Sequence, residues 1–327
     1  MSWRFYQSMT AVLYLFFLLA AQPVLVSCQR SQVQDNSAKG VSQSELKKTR
    51  LVAETNDLPS IKTVDQKNGA TFLVYFDESS AVIAENSIPT LAAFYRQLAD
   101  LSRADAGKVK WASVVFTQKT DYVQPRREGD VRWLVPTDKD GKLTAHGIVD
   151  FYLVIPHEQV HAIQKSFVPQ HSARWFKEGQ ATWLGMKVTE RWNPELARKE
   201  YETLASEQKK ATEPLALRKW GSVRVSGGAI MRQMTPEERE KMKQNPNSVT
   251  SGSFTFSTGD IISDESNAKA RYGAALNIFE EIEKKAGRQK INAWLKSIWE
   301  QKSELDTNTL IQLTLEKTGV DITERLK

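Results

Sequence analysis

The chain has 327 residues, 26% of them charged, and a formal net charge of +6. That length suits one large domain or two intimate lobes. The mild basic balance fits contact with anionic surfaces, but the cations are scattered and form no nucleic-acid-binding motif, so a nucleic-acid partner is excluded. There is no internal repeat, glycine-rich phosphate loop or transmembrane span.

After Arg4 comes an apolar run over 11–21, too short and too soon followed by polar chain to cross a bilayer, so it reads as the h-region of a signal peptide. Leu25-Val26-Ser27-Cys28 then resembles the bacterial lipobox, whose cysteine becomes the lipid-bearing first residue of the mature protein. Cys28 is the single cysteine of the chain. An unpaired thiol is a liability in an exported protein, so lipidation accounts for it better than an ordinary cleaved signal or an uncleaved anchor. Gln29 resembles the residue that follows the cysteine in lipoproteins sent on to an outer membrane. The expected plan is a signal peptide over 1–27, a flexible polar tether over 28–62 and a folded domain over 63–327, held at the cell envelope by its lipid. Removing 1–27 takes away one cation, Arg4.

The domain opens with a β-branched and aromatic run over 71–76 that predicts a buried strand. Ile88, Leu91, Phe94, Tyr95 and Leu98 recur at helical spacing, which predicts an amphipathic helix over 87–104. Strands are expected at 111–117 and 131–135. Together these make a small α+β lobe, 63–165, that ends in the segment carrying the chemistry.

That segment is His157-Glu158-Gln159-Val160-His161. Two histidines four apart on a helix share a face one turn apart, so both imidazoles reach one ion. Glu158 falls to the side of the pair, where a carboxylate serves water rather than metal. Zinc in a catalytic site takes three protein ligands and leaves one position open. Glu178, in Trp175-Phe176-Lys177-Glu178-Gly179, is the natural third. Pro156 belongs in a helix's first turn, where a missing N–H costs little, so the zinc helix is expected to start just before its ligands. Ser172 is a candidate N-cap for the second metal helix, on which Trp175, Glu178, Thr182 and Gly185 share a stripe. Gly179 and Ala181 keep that helix slim enough to approach the first. His146, isolated before Gly147, reads as a surface or loop residue.

Residues 187–210 are charged and helical, with a solvated face. Over 211–268 the pattern is irregular: Ser226-Gly227-Gly228, a short helix from Thr235-Pro236-Glu237-Glu238, and a Ser/Thr/Gly stretch over 248–260. Such a segment reads either as binding loops and a lid or as disorder. Helical signal returns at 268, with Tyr272, Leu276, Phe279 and Ile282 on one face and Gly287 as a stop. Ile291, Trp294, Leu295, Ile298 and Trp299 form the next helix, and 310–315 a last short one. The region 166–327 is expected to be mainly helical.

H-E-Q-V-H followed by R-W-F-K-E-G-Q-A-T-W resembles the gluzincin metallopeptidases, specifically the peptidase MA-like group. The likeness covers 150–190 and, more loosely, the helices from 268 onward. It implies a zincin-like α+β fold with a mixed amino-terminal lobe, a central zinc helix and a helical carboxy-terminal lobe. It implies one zinc ion on His157, His161 and Glu178, with Glu158 as the base of metal-assisted peptide hydrolysis. It also implies an edge strand that holds extended substrate, a role that falls on 111–117. The gap from His161 to Glu178 is shorter than in many relatives, and a tight turn through Val168-Pro169-Gln170 absorbs the difference. Relatives stabilise the oxyanion with a downstream His or Tyr. No histidine follows His171, and Tyr201 and Tyr272 are the only tyrosines after Glu178. Tyr272 is the first choice, with His171 and Arg174 as weaker ones.

Three functions remain open: a tethered zinc endopeptidase or aminopeptidase acting on peptide or protein substrate, a binding lipoprotein built on the peptidase fold, and a hydrolase of cell-wall cross-links. Glu158 argues against the second, since a binding module needs no base. The Gly-x-Met-Glu-Asn signature of aminopeptidases is missing, which tilts the first toward an endopeptidase.

Overall fold

The computed structural model describes residues 40–53, 57–119, 122, 131–167, 172–225, 232, 234–244, 261–263, 267–301 and 305–327. The signal segment, Cys28, Val168-Pro169-Gln170, His171, Ser226-Gly227-Gly228 and 248–260 lie outside these residues.

Five strands form one mixed sheet in sequence order: β1 (Leu46–Leu51), β2 (Ser60–Asp65), β3 (Thr71–Phe76), β4 (Ser113–Thr117) and β5 (Arg132–Pro136). β1, β2 and β3 run antiparallel, and β3, β4 and β5 run parallel. Parallel neighbours require a crossover, which helix α1 (Ala81–Ser102) supplies between β3 and β4. Ile88, Leu91, Phe94, Tyr95 and Leu98 are all fully buried, as their spacing predicts. Tyr95 lies edge-on to Phe72 of β3 and stacks on Trp111 at 4.5 Å.

Two expectations for this lobe are overturned. Residues 46–51 and 60–62, expected to belong to the tether, instead supply β1 and the first half of β2. In β2, Ile61, Thr63 and Asp65 are buried. Arg96 of α1 grips the Asp65 carboxylate with two bonds of 2.6 Å and reaches Glu45 at 2.7 Å. The polar composition of this stretch therefore reflects a largely exposed edge strand and a charged clamp, not a flexible chain. Secondly, β4 cannot accept an added peptide strand, because it is paired on both sides and all five of its residues are buried. β5 is the outer strand on that side.

The chain then becomes helical: α2 (Ala145–Val149), a π-helical turn (Asp150–Val154), α3 (Ile155–Phe167), α4 (Arg174–Trp192), α5 (Pro194–Lys210), α6 (Pro236–Gln244), α7 (Ala268–Ala286), α8 (Arg288–Trp299) and α9 (Thr307–Thr318). Short strands β6 (Val223–Val225) and β7 (Ile261–Ser263) pair antiparallel. The fold is α+β. Helix α4 is central, packing on α3, α7 and α1. Phe176 and Trp183 of α4 meet Phe279 of α7, and Trp294 of α8 closes this aromatic core.

The charged stretch 187–210 is not one solvated helix. It breaks at Asn193, whose side chain accepts from Leu196 N at 3.1 Å, with Pro194 at the first helical position. Ala197 and Leu204 of α5 are buried, and the helix packs on α7. Helix α6 begins as expected, with Thr235 and Glu238 forming a reciprocal capping box. Gly287 ends α7 at φ +78°. Among the described residues, no helix is long and apolar enough to cross a membrane.

Candidate metal centre

His157, Glu158 and His161 lie on α3, but this helix does not start just before them. The π turn joins α2 to α3, so the chain is helical from Ala145 to Phe167 and Pro156 sits inside the run. Proline removes a hydrogen bond to the carbonyl four residues back and crowds it. That carbonyl is Tyr152 O, and the Thr189 hydroxyl of α4 donates to it at 2.7 Å. An Ile155 N–H to Asp150 O bond closes the wider π turn just before the proline. His146 is helical rather than in a loop, half exposed, with Nε2 3.4 Å from Asp150 Oδ2.

Two contacts fix the helix in place. Gln159, completely buried, accepts from Ala112 N at 3.0 Å and donates to Ala112 O at 2.8 Å, pinning α3 to the approach to β4. On the other side Gly185 of α4 lies against His157: a Cβ there would stand 3.0 Å from its N and 3.1 Å from its Cα. The stripe expected on α4 is therefore correct at Gly185, but Gly179 faces elsewhere. A Cβ on Gly179 would meet Phe279 and Ala275 of α7. Ser172 does not cap α4; Ala173 holds that position, without a side-chain cap.

The close crossing of α3 and α4 brings three donor atoms together. His157 Nε2 and His161 Nε2 are 3.1 Å apart. Glu178 Oε2 lies 3.5 Å from the first and 3.3 Å from the second. Atoms bound at about 2.0–2.1 Å to a tetrahedral ion stand roughly 3.3–3.4 Å apart, so the triangle has the dimensions of a metal-ligand face. Glu178 Oε2 is buried and faces these two imidazoles. A buried carboxylate oxygen is expensive unless a cation, an imidazolium or a metal ion, faces it. These three residues can hold a metal ion.

The electrostatics agree. Burial alone would raise the Glu178 pKa, but the His161 and His157 imidazoles beside it hold the carboxylate well below its ordinary value. Burial alone would lower His161, yet Glu178 outweighs it and lifts the imidazole to about 9. Glu158 is buried, and burial raises its pKa against the opposing pull of His161 and His157. A carboxyl group with a raised pKa beside a metal triangle is poised to take and return a proton.

Tyr272 reaches the same place from α7. Its ring centroid is 6.0 Å from that of His157 and 5.1 Å from that of Trp220. Its hydroxyl is buried, which pushes its pKa well up, with the Arg174 guanidinium beside it pulling the other way. Arg174, in the first turn of α4, places Nε 3.7 Å from Glu178 Oε1, with its guanidinium 5.1 Å from the Trp220 ring centre. Gly221, at φ +76°, permits this approach, since a Cβ there would stand 2.6 Å from Arg174 Cδ.

No protein-family model matches the chain. No curated protein matches it either.

Residues outside the predicted set also converge here. Gln164, one turn beyond His161, receives its ring nitrogen. Glu200 of α5 is close enough to His157 and Lys269 for their charges to oppose its burial-raised pKa. Helical spacing from His161 was the only available signal for Gln164. For Glu200 there was none, because α5 reads as a uniformly charged helix.

Proposed function

We propose that this protein is a zinc-dependent metallopeptidase of the gluzincin kind, with His157, His161 and Glu178 as ligands. The observation that carries this reading is the triangle of donor atoms at 3.1, 3.3 and 3.5 Å, one of them a buried carboxylate oxygen. Two imidazoles and a carboxylate suit zinc better than the harder divalent ions. When bound, zinc supplies Lewis acidity toward water and toward a substrate carbonyl.

The chain's own groups supply the rest. Glu158 takes a proton from the attacking water and returns it to the leaving amine, a task suited to a carboxyl group whose burial has raised its pKa. The Tyr272 hydroxyl, held protonated by burial, donates to the carbonyl oxygen as negative charge develops there. The Trp220 ring packs edge-on against Tyr272 and holds it in place. Anchoring through a lipid on Cys28 rests on the lipobox sequence, and loss of labelled-palmitate incorporation in Cys28→Ser tests it.

Elemental analysis of the purified chain, with digestion of a mixed peptide library, tests the function. The expected result is about one zinc per chain, lost in His161→Ala, with chelator-sensitive cleavage that Glu158→Gln abolishes. Zinc without cleavage favours a binding lipoprotein, and absence of zinc overturns the site.

A further inference from the structure

Gln164 is almost completely buried, on the α3 turn that follows His161. Its three polar contacts fix its orientation. The side-chain nitrogen lies 2.9 Å from Lys177 O and 2.9 Å from Gln180 Oε1. A backbone carbonyl can only accept, so the atom facing Lys177 must be the NH2 group. The remaining atom, facing His161 Nδ1 at 2.8 Å, must then be the carbonyl oxygen. An oxygen there can only accept, so His161 Nδ1 carries a proton and donates it. In the neutral ring that leaves the lone pair on Nε2, the atom 3.3 Å from Glu178 Oε2. The same logic sets Gln180: its Oε1 accepts, and its Nε2 is left buried without a partner.

We propose that Gln164 is the positioning residue of the metal centre. It locks His161 in the Nδ1–H form with Nε2 aimed at the ion, and ties that ring to the backbone of α4 one residue before Glu178. The chain of inference starts from one atom, Lys177 O, which cannot change role. The assignment rests on the metallopeptidase reading for its purpose, but its hydrogen-bond logic concerns this chain alone. Outer partners of this kind typically contribute 10- to 100-fold to metal affinity.

Two measurements test it on the full chain: zinc affinity by competition with a chelator, and the protonated-Nδ1 resonance of His161 in ring 15N spectra of the metal-free protein at about pH 10, above the raised His161 pKa, where the ring is neutral and carries a single proton. Gln164→Met removes both arms of the amide. It is expected to lose the resonance and to weaken zinc binding 10- to 100-fold. Gln180→Met removes one acceptor from the far arm and leaves Lys177 O to hold the amide, so it should keep the resonance and bind zinc within about threefold of the parent. Gln164→Glu retains an acceptor for the ring but sets an oxygen against Lys177 O, so it should keep the resonance while losing the tie to α4, which separates the lock on His161 from poor folding of Gln164→Met. Equal losses in Gln164→Met and Gln180→Met would mean a tie between helices only, and would overturn the proposal. So would a resonance that persists in Gln164→Met. If the parent chain shows the resonance but binds no zinc, the metallopeptidase reading fails while the lock on His161 stands.

Discussion

The Thr189 hydroxyl donates at 2.7 Å to Tyr152 O, the carbonyl to which Pro156 offers no N–H. A residue of α4 thus meets the carbonyl that the proline leaves without its usual helical donor. Thr189 is completely buried. Thr189→Val keeps the shape and removes the donor, which should cost roughly 0.5–1.5 kcal/mol, the net worth of one hydrogen bond. Urea unfolding of the metal-free protein measures it. A loss near zero would mean that Tyr152 O is satisfied elsewhere.

Burial raises the Asp150 pKa from 3.8 to about 7, and its Oδ2 is buried without a hydrogen bond. The folded state therefore binds this proton more tightly than the unfolded chain does. The stability it confers is fully present below the unfolded pKa and is lost as pH rises through about 7. Asp150→Asn should be close to neutral in acid and should stabilise the protein by about 2–4 kcal/mol at pH 8. Melting temperatures of both forms across pH 4–8 check the sign. A gap that narrows as pH rises would contradict it.

Gly185→Ala pushes a methyl group to 3.0 Å from the backbone nitrogen of His157, which cannot yield as a side chain would. The two helices must part, at a cost of roughly 1–3 kcal/mol, and zinc affinity should fall with it. Gly179→Ala meets α7 instead, through Phe279 and Ala275, and should lower stability while sparing the affinity of the folded protein. Chelator competition on the two variants separates these effects.

Tyr272→Phe deletes a buried hydroxyl that lies beside Arg174. Stability without metal should change by no more than about 1.5 kcal/mol, the net worth of one hydrogen bond. Peptide cleavage should fall roughly 100- to 1,000-fold in kcat with little change in KM. A change confined to KM would make the residue a substrate contact and not an oxyanion donor.

The convergence of His157, His161 and Glu178 was legible because a three-residue gap between histidines has a geometric meaning on any helix, and α3 and Glu178 satisfy it. The α1 stripe was legible for the same reason: Ile88, Leu91, Phe94, Tyr95 and Leu98 are all buried. β1 and β2 were hidden by their chemistry. Asp65 is buried against Arg96, so a charge occupies a core position where periodicity expects an apolar residue. The start of α3 was misplaced because proline normally marks a first turn, whereas here it follows a π turn and the carbonyl four residues back meets Thr189, far along the chain. The partition of small residues on α4 between α3 and α7 was equally inaccessible, since spacing does not say which neighbour each glycine meets.

The π turn at Asp150–Val154 holds one more residue than an α turn would. Each residue advances an α-helix by about 100°, so this turn resets the phase between the part of the helix that meets the sheet through Phe151 and the part that bears the histidines. Deleting one residue from it would rewind the run into plain α-helix and turn either Phe151 out of its aromatic contacts or His157 and His161 away from Glu178. The extra residue acts as a vernier, letting one continuous rod satisfy two faces that an unbroken α-helix could not serve at once.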